Sequence, residues 1–413
     1  MVPSLQANQP RWSGSGFEIW FFVVLLPGSS RALWVRLTRI ADDKGSDARV
    51  WAVVSEDGAT TAEREILALE ALTTESEEHP DFHLRVGEVA SFGHGFSEGK
   101  CGTISWSLRF EAGDAPAVRL PQLPSFIPLG THSTHPHAEA PVTGHVEIDG
   151  RRVNLDGALL TQMHIWGSAR VEWLRWAWVP RFDSTNGGGG ALEITAVAAK
   201  AEPAAKSGKR DPQHLCAMWL RLGDGPDAEV IDNSGLTKTM RASVRSIRPG
   251  VLHHVAAGNG RRIVIRTWAA PQTMAGWNYR KIGGGDLHVA QSNQAHCEVE
   301  LYRRAGLGWR PEARLRSTCA ALEFHGPDHF AELAYVPWEA AQARDAAQPG
   351  SVATLAAPAE ASEPPGPGDW IETPRPAAIV ALGLTYRAHA EETGSSPDPL
   401  VFRKDPAAWS PGG

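Results

Sequence analysis

The chain of 413 residues has few cysteines, no long apolar run and no excess of basic charge. Its cysteines, Cys101, Cys216, Cys297 and Cys319, form no C-x-x-C pair, which argues against zinc and thiol-redox motifs and favours free thiols in a reducing, cytoplasmic compartment. The most apolar stretch, residues 17–27, is too short to span a bilayer. A net charge of -7 gives no basic field for nucleic acid. We therefore expect no membrane insertion and no nucleic-acid partner.

Two common catalytic signatures are also missing. No G-x-x-x-x-G-K-[ST] motif occurs, and the four glycines at 187–190 do not fit G-x-G-x-x-G, so nucleotide chemistry has no support. No G-x-S-x-G elbow marks a serine nucleophile. The N-terminus lacks the charged start and apolar run of a signal peptide.

Tryptophan, by contrast, is abundant, with sixteen tryptophans against four tyrosines. Many tryptophans sit in short apolar or alternating runs bounded by turn residues, such as FEIWFFVVLL and RALWVRLTRI, and such runs predict strands. The second half repeats this pattern. We expect a mainly β fold with two consecutive antiparallel units, residues 1–183 and 213–342, joined by a Gly/Ala/Lys-rich connection at 184–212 that includes a possible strand.

Two segments of the first unit depart from the strand pattern. Residues 60–78 have helical propensity with a weak apolar stripe, which leaves open a helix on the outside or a decorated loop. Residues 110–140 are proline-rich and are expected to be irregular and exposed. Their HSTHPH cluster, His132, His135 and His137, is interpreted as solvated loop histidines rather than a metal site.

A paired-carboxylate pattern occurs in the second unit. Glu298 and Glu300 in CEVEL fall on one face of a predicted strand. Such a pair is typical of the solvated side of a strand, and we interpret it in that way.

The most informative segment of the body runs from residue 144 to 182. It contains a V-x-I-D-G hairpin, an H-x-W-G element and a W-x-W pair, and FEIWFF near the N-terminus matches an E-x-W-[YF] first strand. This order resembles lipocalin-like proteins that include carotenoid 1,2-hydratases and tocopherol-cyclase-type domains. The matching positions are Gly144, Asp149, Gly150, His164, Trp166, Gly167, Trp176 and Trp178.

This resemblance implies two lipocalin-like antiparallel barrel units, each able to enclose an elongated apolar ligand. Met163 stands where such proteins commonly have an acidic residue, which argues against an acid that protonates an alkene at that position. Hydratase or cyclase chemistry would instead use His164 with a nearby acid such as Asp149 or Asp156. Core packing would equally account for the aromatic side chains, and a hydrogen bond within that core for the histidine. The expected ligand-binding residues are Trp20, His164, Trp166, Trp173, Trp176 and Trp178.

The C-terminal segment, 375–413, follows a Pro/Ala-rich stretch, 343–374, that we expect to be a disordered linker. Its pattern resembles the opening of the fumarylacetoacetate hydrolase superfamily, G-x-N-Y-x-x-H-x-x-E followed by a P-x-x-F-x-K strand. Thr385 replaces the asparagine. The matching positions are Gly383, Tyr386, His389, Glu392, Pro399, Phe402 and Lys404.

Residues three apart on a helix share a face, so His389 and Glu392 can meet as a base and its orienting carboxylate. The resemblance implies that they and Lys404 are catalytic residues of an incomplete site. The family's E-x-E pair and aspartate would lie downstream, so Mg²⁺ or Mn²⁺ is expected only if that domain were complete, and no cofactor is expected here. A homo-oligomer would form through the C-terminal domain of the parent.

Three function hypotheses follow. The first is a body that binds an apolar, isoprenoid- or polyketide-like small molecule. The second is a fragment of a metal-dependent hydrolase, decarboxylase or isomerase of 2-oxo acids or diketones. The third is a hydratase or cyclase acting on an isoprenoid, with His164 and a nearby acid.

Overall fold

The protein is described from a computed structural model. It covers residues 3–11, 14–74, 82–113, 117, 130–183, 189–198, 215–233, 241–248, 250–330, 333–336, 353–355, 379–383 and 400–404. The mainly β prediction is confirmed.

One short helix, α1 (Pro3–Asn8), precedes the strands, and two single 3-10 turns lie at Leu69–Ala71 and Pro271–Thr273. The strands, in chain order, are β1 (Gly16–Leu25), β2 (Ala32–Asp42), β3 (Gly45–Glu56), β4 (Ala59–Leu67), β5 (Leu72–Thr74), β6 (His83–Val86), β7 (Ala90–Gly93), β8 (Phe96–Cys101), β9 (Ile104–Phe110), β10 (Thr131–Ile148), β11 (Arg151–Asn154), β12 (Ala158–Gly167), β13 (Trp173–Val179), β14 (Ala191–Ala198), β15 (Leu215–Leu222), β16 (Glu229–Asp232), β17 (Arg241–Arg248), β18 (Val251–Gly258), β19 (Arg261–Trp268), β20 (Ala275–Arg280), β21 (Asp286–Ala305), β22 (Gly308–Gly326), β23 (Ala353–Leu355), β24 (Ile379–Gly383) and β25 (Leu400–Lys404).

The first sheet has the order β23-β4-β3-β2-β1-β12-β10-β9-β8-β7-β6-β5, with β11 paired to β10. Its pairs are antiparallel, and β1 lies between β2 and β12. The sheet is curled, since strands that are far apart in this order, such as β3 and β9, contribute residues to the same apolar cluster on its inner face. We call this cluster the first core.

Strand β1 is completely buried because both of its faces pack against other parts of the protein. Trp20, Phe22 and Val24 point into the first core, whereas Phe21 and Val23 point to the opposite face. Successive side chains of a strand point to opposite faces, so a strand buried on both faces is apolar at nearly every position. The run FEIWFFVVLL is therefore the sequence of a strand covered on both sides.

The second sheet has the order β16-β15-β14-β13-β22-β21-β19-β18-β17, with β20 paired to β21. It encloses its own apolar cluster, the second core. The two antiparallel sheets confirm the prediction of two β-rich parts. The W-x-W strand β13 pairs with β14 and β22, so the sheets divide between Gly167 and Trp173. The expected domain division at residue 183 stays a prediction.

A third apolar cluster lies where the outer face of the first sheet meets the second sheet, and we call it the seam. It includes Phe21, Trp51, Trp178, Trp277 and Tyr279 from both sheets, and Trp51 meets Trp277 edge to face with centroids 5.0 Å apart. Each fully buried aromatic side chain contributes about 1.5–3 kcal/mol. Burial at the seam therefore holds the sheets together.

Two local predictions were wrong. Within the expected helix or loop at 60–78, the described part is the strand β4, the Leu69–Ala71 turn and β5, because β4 pairs with β3 along its length. Within the expected exposed segment 110–140, residues 131–140 belong to β10, and His135 and His137 are buried. Register shifts on either side of His137 interrupt the pairing with β12, which is how a strand accommodates a proline such as Pro136.

All four thiols are free, as predicted, and only Cys216 is partly exposed. Part of the expected linker, Ala353–Leu355, is not irregular, because it pairs with β4 as β23. The chain divides into two compact units, one holding both large sheets and the other including residues 363–413. In the second unit, β24 and β25 form an antiparallel pair, and β25 lies at the position of the expected P-x-x-F-x-K strand.

Because Trp178 is fully buried in the seam, the substitution Trp178→Ala should lower the free energy of unfolding by about 3–5 kcal/mol. Urea denaturation followed by circular dichroism measures the change. Leu307→Ala is the matched control, because Leu307 is 100% exposed and should change stability by less than about 0.5 kcal/mol. If Trp178→Ala lowered the free energy of unfolding by less than about 1 kcal/mol, this would contradict the conclusion that burial at the seam holds the two sheets together.

Candidate functional site

The pairing of β1 with β12 brings three predicted ligand-binding residues together. Trp20 lies directly opposite His164, and Glu18 lies opposite Trp166. All four side chains stand on the inner face of the sheet, at one end of the first core. The Trp20 and His164 rings are stacked, with centroids 4.8 Å apart, and the Trp166 ring is 4.9 Å from His164.

Both nitrogens of His164 are engaged, although its side chain is completely buried. Nδ1 lies 2.8 Å from the carbonyl oxygen of Ala7, and Nε2 lies 2.8 Å from Oε1 of Glu18. A carbonyl oxygen only accepts, so Nδ1 carries a proton and donates it. Two lone pairs would repel at 2.8 Å, so one further proton lies between Nε2 and the carboxyl group.

Glu18 is the carboxylate of this pair and is also completely buried. The backbone N–H of Arg11 donates to its Oε1 at 2.6 Å, and Arg39 Nη1 lies 4.0 Å from Oε2. Oε2 has no hydrogen-bond partner among the described residues. A buried oxygen without a hydrogen bond is unusual, and it leaves one atom of the pair available to a ligand.

The N-terminal helix covers this end of the first core. The indole N–H of Trp20 donates to the carbonyl of Asn8 at 2.9 Å, and the Asn8 and Gln162 side chains exchange two hydrogen bonds. Thr134 donates to the Ala7 carbonyl at 2.7 Å, while Leu5 packs into the core. The helix is thus held chiefly by polar contacts to site residues.

Trp166 lies at the rim of the site and is partly exposed. Its ring stacks near His132, with centroids 5.8 Å apart, and the Arg11 guanidinium carbon lies 5.7 Å from it. This ring therefore borders both the buried pair and solvent.

The other three predicted ligand-binding tryptophans lie elsewhere. Trp173 packs in the second core, whereas Trp176 and Trp178 pack in the seam. Trp176 donates its indole N–H to Glu193 Oε1 at 3.1 Å, and Glu193 Oε2 lies 3.7 Å from Nδ1 of His135. The structure does not join these residues to His164, because β13 belongs to the other sheet.

The acid beside His164 is Glu18, and not Asp149 or Asp156 as predicted. Asp156 precedes β12 at the end far from His164, and eight residues of strand correspond to about 25 Å. Its Oδ1 accepts the N–H of Gly144 instead, which with the Asn154 side chain keeps the Asp156 pKa below its ordinary value. Asp149 has a positive φ in the β10–β11 turn. Both aspartates shape turns.

His137 is a further buried group on the inner face, since it pairs with Gln162 in register. Its ring lies 5.4 Å from Phe110 and 5.7 Å from His94, and neither ring nitrogen has a hydrogen-bond partner among the described residues. Burial, followed by the nearby His94 and His135, lowers the pKa of His137 to about 4. A neutral imidazole therefore lines this interior at neutral pH.

Neither the histidine cluster nor the paired glutamates forms a metal site. In the described ranges, no three His, Cys, Asp or Glu side chains are grouped to hold a metal ion. Glu298 is itself buried, but it accepts hydrogen bonds from the exposed arginines Arg314 and Arg316, and Glu300 on the same face is partly exposed. Burial alone would raise the pKa of Glu298, but these arginines outweigh burial and the pKa lies below its ordinary value.

The predicted tail site is not tested by the structure. His389 and Glu392 lie outside the described residues, and Lys404 ends β25, whose side chains are not described. The fumarylacetoacetate-hydrolase resemblance therefore stays a prediction.

Sequence reasoning missed Glu18 and α1. The signal for Glu18 was present, because it is the acidic residue of the E-x-W-[YF] match in β1. Nothing in the apolar pattern indicated that a six-residue helix would supply a carbonyl to His164. Such contacts across 157 positions depend on the folded topology.

No family model matches the chain, and no curated protein matches it. Solved structures similar to it include an AttH protein from Nitrosomonas europaea, at a TM-score of 0.46 and 11% identity over 75% of this chain and 92% of that one. CghA bound to Sch210972 has a TM-score of 0.44 and 13% identity over 76% and 89%. Kievitone hydratase from Nectria haematococca has a TM-score of 0.42 and 10% identity over 80% and 94%. At such scores these similarities assign no activity to this chain.

None of the helices in the described part of the chain has the length and apolar character needed to cross a membrane.

The lowered pKa of His137 predicts a pH dependence of stability. Between pH 6.5 and about 4 the unfolded chain takes up a proton on His137 that the folded chain does not, so the free energy of unfolding falls as the pH falls. This group accounts for up to about 3 kcal/mol of that fall. Urea denaturation from pH 7.5 to 4 measures it. In His137→Phe that part of the fall should vanish, and an unchanged pH profile in the variant would disprove the assignment.

Proposed function

We propose that the chain binds an apolar, isoprenoid- or polyketide-like small molecule at the end of the first core where Trp20, His164 and Trp166 meet. One observation carries this proposal: a buried imidazole and carboxyl group share a proton among aromatic rings, and Glu18 Oε2 has no hydrogen-bond partner among the described residues. Ligand sites combine apolar walls with a few placed polar groups in this way.

Access to this site requires α1 to move. The carbonyls of Ala7 and Asn8 occupy His164 Nδ1 and the Trp20 indole, and both contacts are replaceable by ligand or water. A helix of six residues is not stable alone in water, so only its tertiary contacts hold it in place. In this proposal α1 acts as a plug that leaves when ligand enters.

Tryptophan fluorescence tests the binding. Titration with polyenes and long-chain lipids should quench the emission saturably, because Trp20 and Trp166 border the site. Trp166→Ala should weaken binding about tenfold, since a buried aromatic contact is worth about 1–2 kcal/mol. Trp309→Ala is the control, because Trp309 lies on β22 of the other sheet and should leave the affinity unchanged.

Two results would argue against this proposal. One is the absence of quenching by every compound of the panel. The other is an equal loss of affinity in Trp166→Ala and Trp309→Ala, which would place binding elsewhere or reflect a general loss of structure.

A second candidate function is hydration or cyclisation of the bound isoprenoid. The proton held between Glu18 and His164 favours it, because alkene hydration begins with proton transfer to carbon. In this proposal the carboxyl group protonates one alkene carbon, water adds to the resulting cation, and the proton released by that water returns to the pair. Attack by a second double bond in place of water would give a cyclic product.

Glu18→Gln tests the second candidate because it keeps the shape of the side chain and removes its acidity. With an isoprenoid alkene as substrate, mass spectrometry should show a hydrated or cyclised product from the wild type and at least about a hundredfold less from Glu18→Gln. Binding measured by fluorescence should change little. Asp156→Asn should keep full turnover. Loss of turnover in Asp156→Asn together with full activity in Glu18→Gln would show that Asp156, and not Glu18, is the acid.

A further inference from the structure

The seam contains two arginine side chains around one buried tyrosine. Arg36 is on β2 and points away from the first core, and its guanidinium carbon lies 3.9 Å from the centroid of the Tyr279 ring. Arg170, in the crossing from β12 to β13, lies 5.6 Å from the same centroid and 4.4 Å from that of Phe17. Trp51 meets Tyr279 edge to face at 5.3 Å. Cation–π contacts thus place both cations at one ring.

Several polar atoms of this group have no partner among the described residues. Arg36 is 4% exposed and donates from Nε to Thr38 at 2.9 Å, but its buried Nη2 makes no hydrogen bond. Arg170 Nε is likewise buried without a partner, and the hydroxyl of Tyr279, a residue only 1% exposed, can accept from Arg36 but finds no acceptor for its own proton among the described residues. Leaving such donors unpaired costs about 1–3 kcal/mol each, so three together indicate a missing acceptor.

Positive charge also exceeds negative charge around the ring. The neighbouring carboxylate, Glu323, accepts a hydrogen bond from His325 at 2.5 Å and forms no ion pair with Arg36 or Arg170. A guanidinium keeps its charge in proteins, so burial and the nearby Arg36 lower the pKa of Arg170 without discharging it. Burial raises the pKa of Tyr279, which keeps its hydroxyl protonated and able to donate.

We propose that the seam binds the carboxylate of a small aromatic or apolar organic acid, with Arg36, Arg170 and the Tyr279 hydroxyl as donors. Arg49 and Arg280 also lie near Arg170, but they pair with Asp47 and Asp42, which leaves Arg36 and Arg170 as the cations that an added monoanion would neutralise. Guanidinium groups match a planar carboxylate in geometry, and the rings of Phe17 and Trp51 suit a flat apolar body.

This site is distinct from the one proposed above. Arg36 faces the seam, whereas Trp20 and His164 face the first core on the other side of the same sheet. Its presence does not depend on what the first core binds. It would give the protein a second ligand, held between the two sheets.

Isothermal titration with benzoate tests the proposal, with benzamide as the uncharged analogue and with ionic strength held constant. Saturable binding of benzoate and none of benzamide is expected. Arg170→Met should raise the Kd at least about tenfold, because it removes a charged donor, and Tyr279→Phe about three- to tenfold, because it removes only the hydroxyl. Arg85→Met is the control, because Arg85 is exposed and pairs with Glu88, and its Kd should equal that of the wild type.

Thermal denaturation gives a second readout. Without ligand, Arg170→Met should melt at a higher temperature than the wild type, because a partly buried guanidinium with an unpaired Nε is replaced by an apolar side chain. Benzoate should raise the melting temperature of the wild type and leave that of Arg170→Met unchanged. If Arg170→Met does not fold, Tyr279→Phe alone decides.

Four results would overturn the proposal. They are absence of saturable benzoate binding, equal binding of benzamide, inorganic phosphate binding as tightly as benzoate, and an unchanged Kd in Tyr279→Phe. The last would mean that benzoate binds elsewhere and that Arg36 and Arg170 only pack the seam. None of these results bears on ligand binding in the first core, which the fluorescence titration measures separately.

Discussion

Burial of β1 on both faces is the constraint on which the rest of the structure depends. One face of this strand contributes Glu18 and Trp20 to the candidate site, and the other contributes Phe17 and Phe21 to the seam. A shift of one residue in register would exchange these faces and place a carboxylate among the seam aromatics. The register of FEIWFFVVLL therefore determines both which side chains line the candidate site and which ones pack between the two sheets.

A polar pair inside an apolar core needs its hydrogen bonds satisfied. For the His164–Glu18 pair, α1 supplies the Ala7 carbonyl and the segment after it supplies the Arg11 N–H. The Ala7 carbonyl comes from 157 positions away in the sequence and the Arg11 N–H from only seven, and both contacts make the site dependent on a short helix and the segment after it. In the proposed function this dependence is useful, because a marginally stable element covers the site and can yield to a ligand.

The sequence predicted the strands of the apolar runs and the convergence of Trp20, His164 and Trp166, because period-two alternation and short motifs are local signals. It failed at β4 and β10. There, pairing with a neighbouring strand overrides weak propensity, and a bulge at Pro136 and His137 admits a proline. It also grouped Trp173, Trp176 and Trp178 with His164. No sequence pattern shows which of two sheets a strand joins. Because β13 joins the second sheet, its three tryptophans lie away from His164.

In the proposed function, an apolar ligand enters the first core beside the His164–Glu18 pair. The most direct test is photoaffinity labelling with a long-chain polyene alcohol that carries a diazirine, followed by mass spectrometry of the labelled peptides. Labels on inward-facing residues of β1, β10 and β12, such as Trp20, Thr134 or Gln162, are the predicted result. Labels confined to seam residues or to exposed residues such as Leu307 would contradict it.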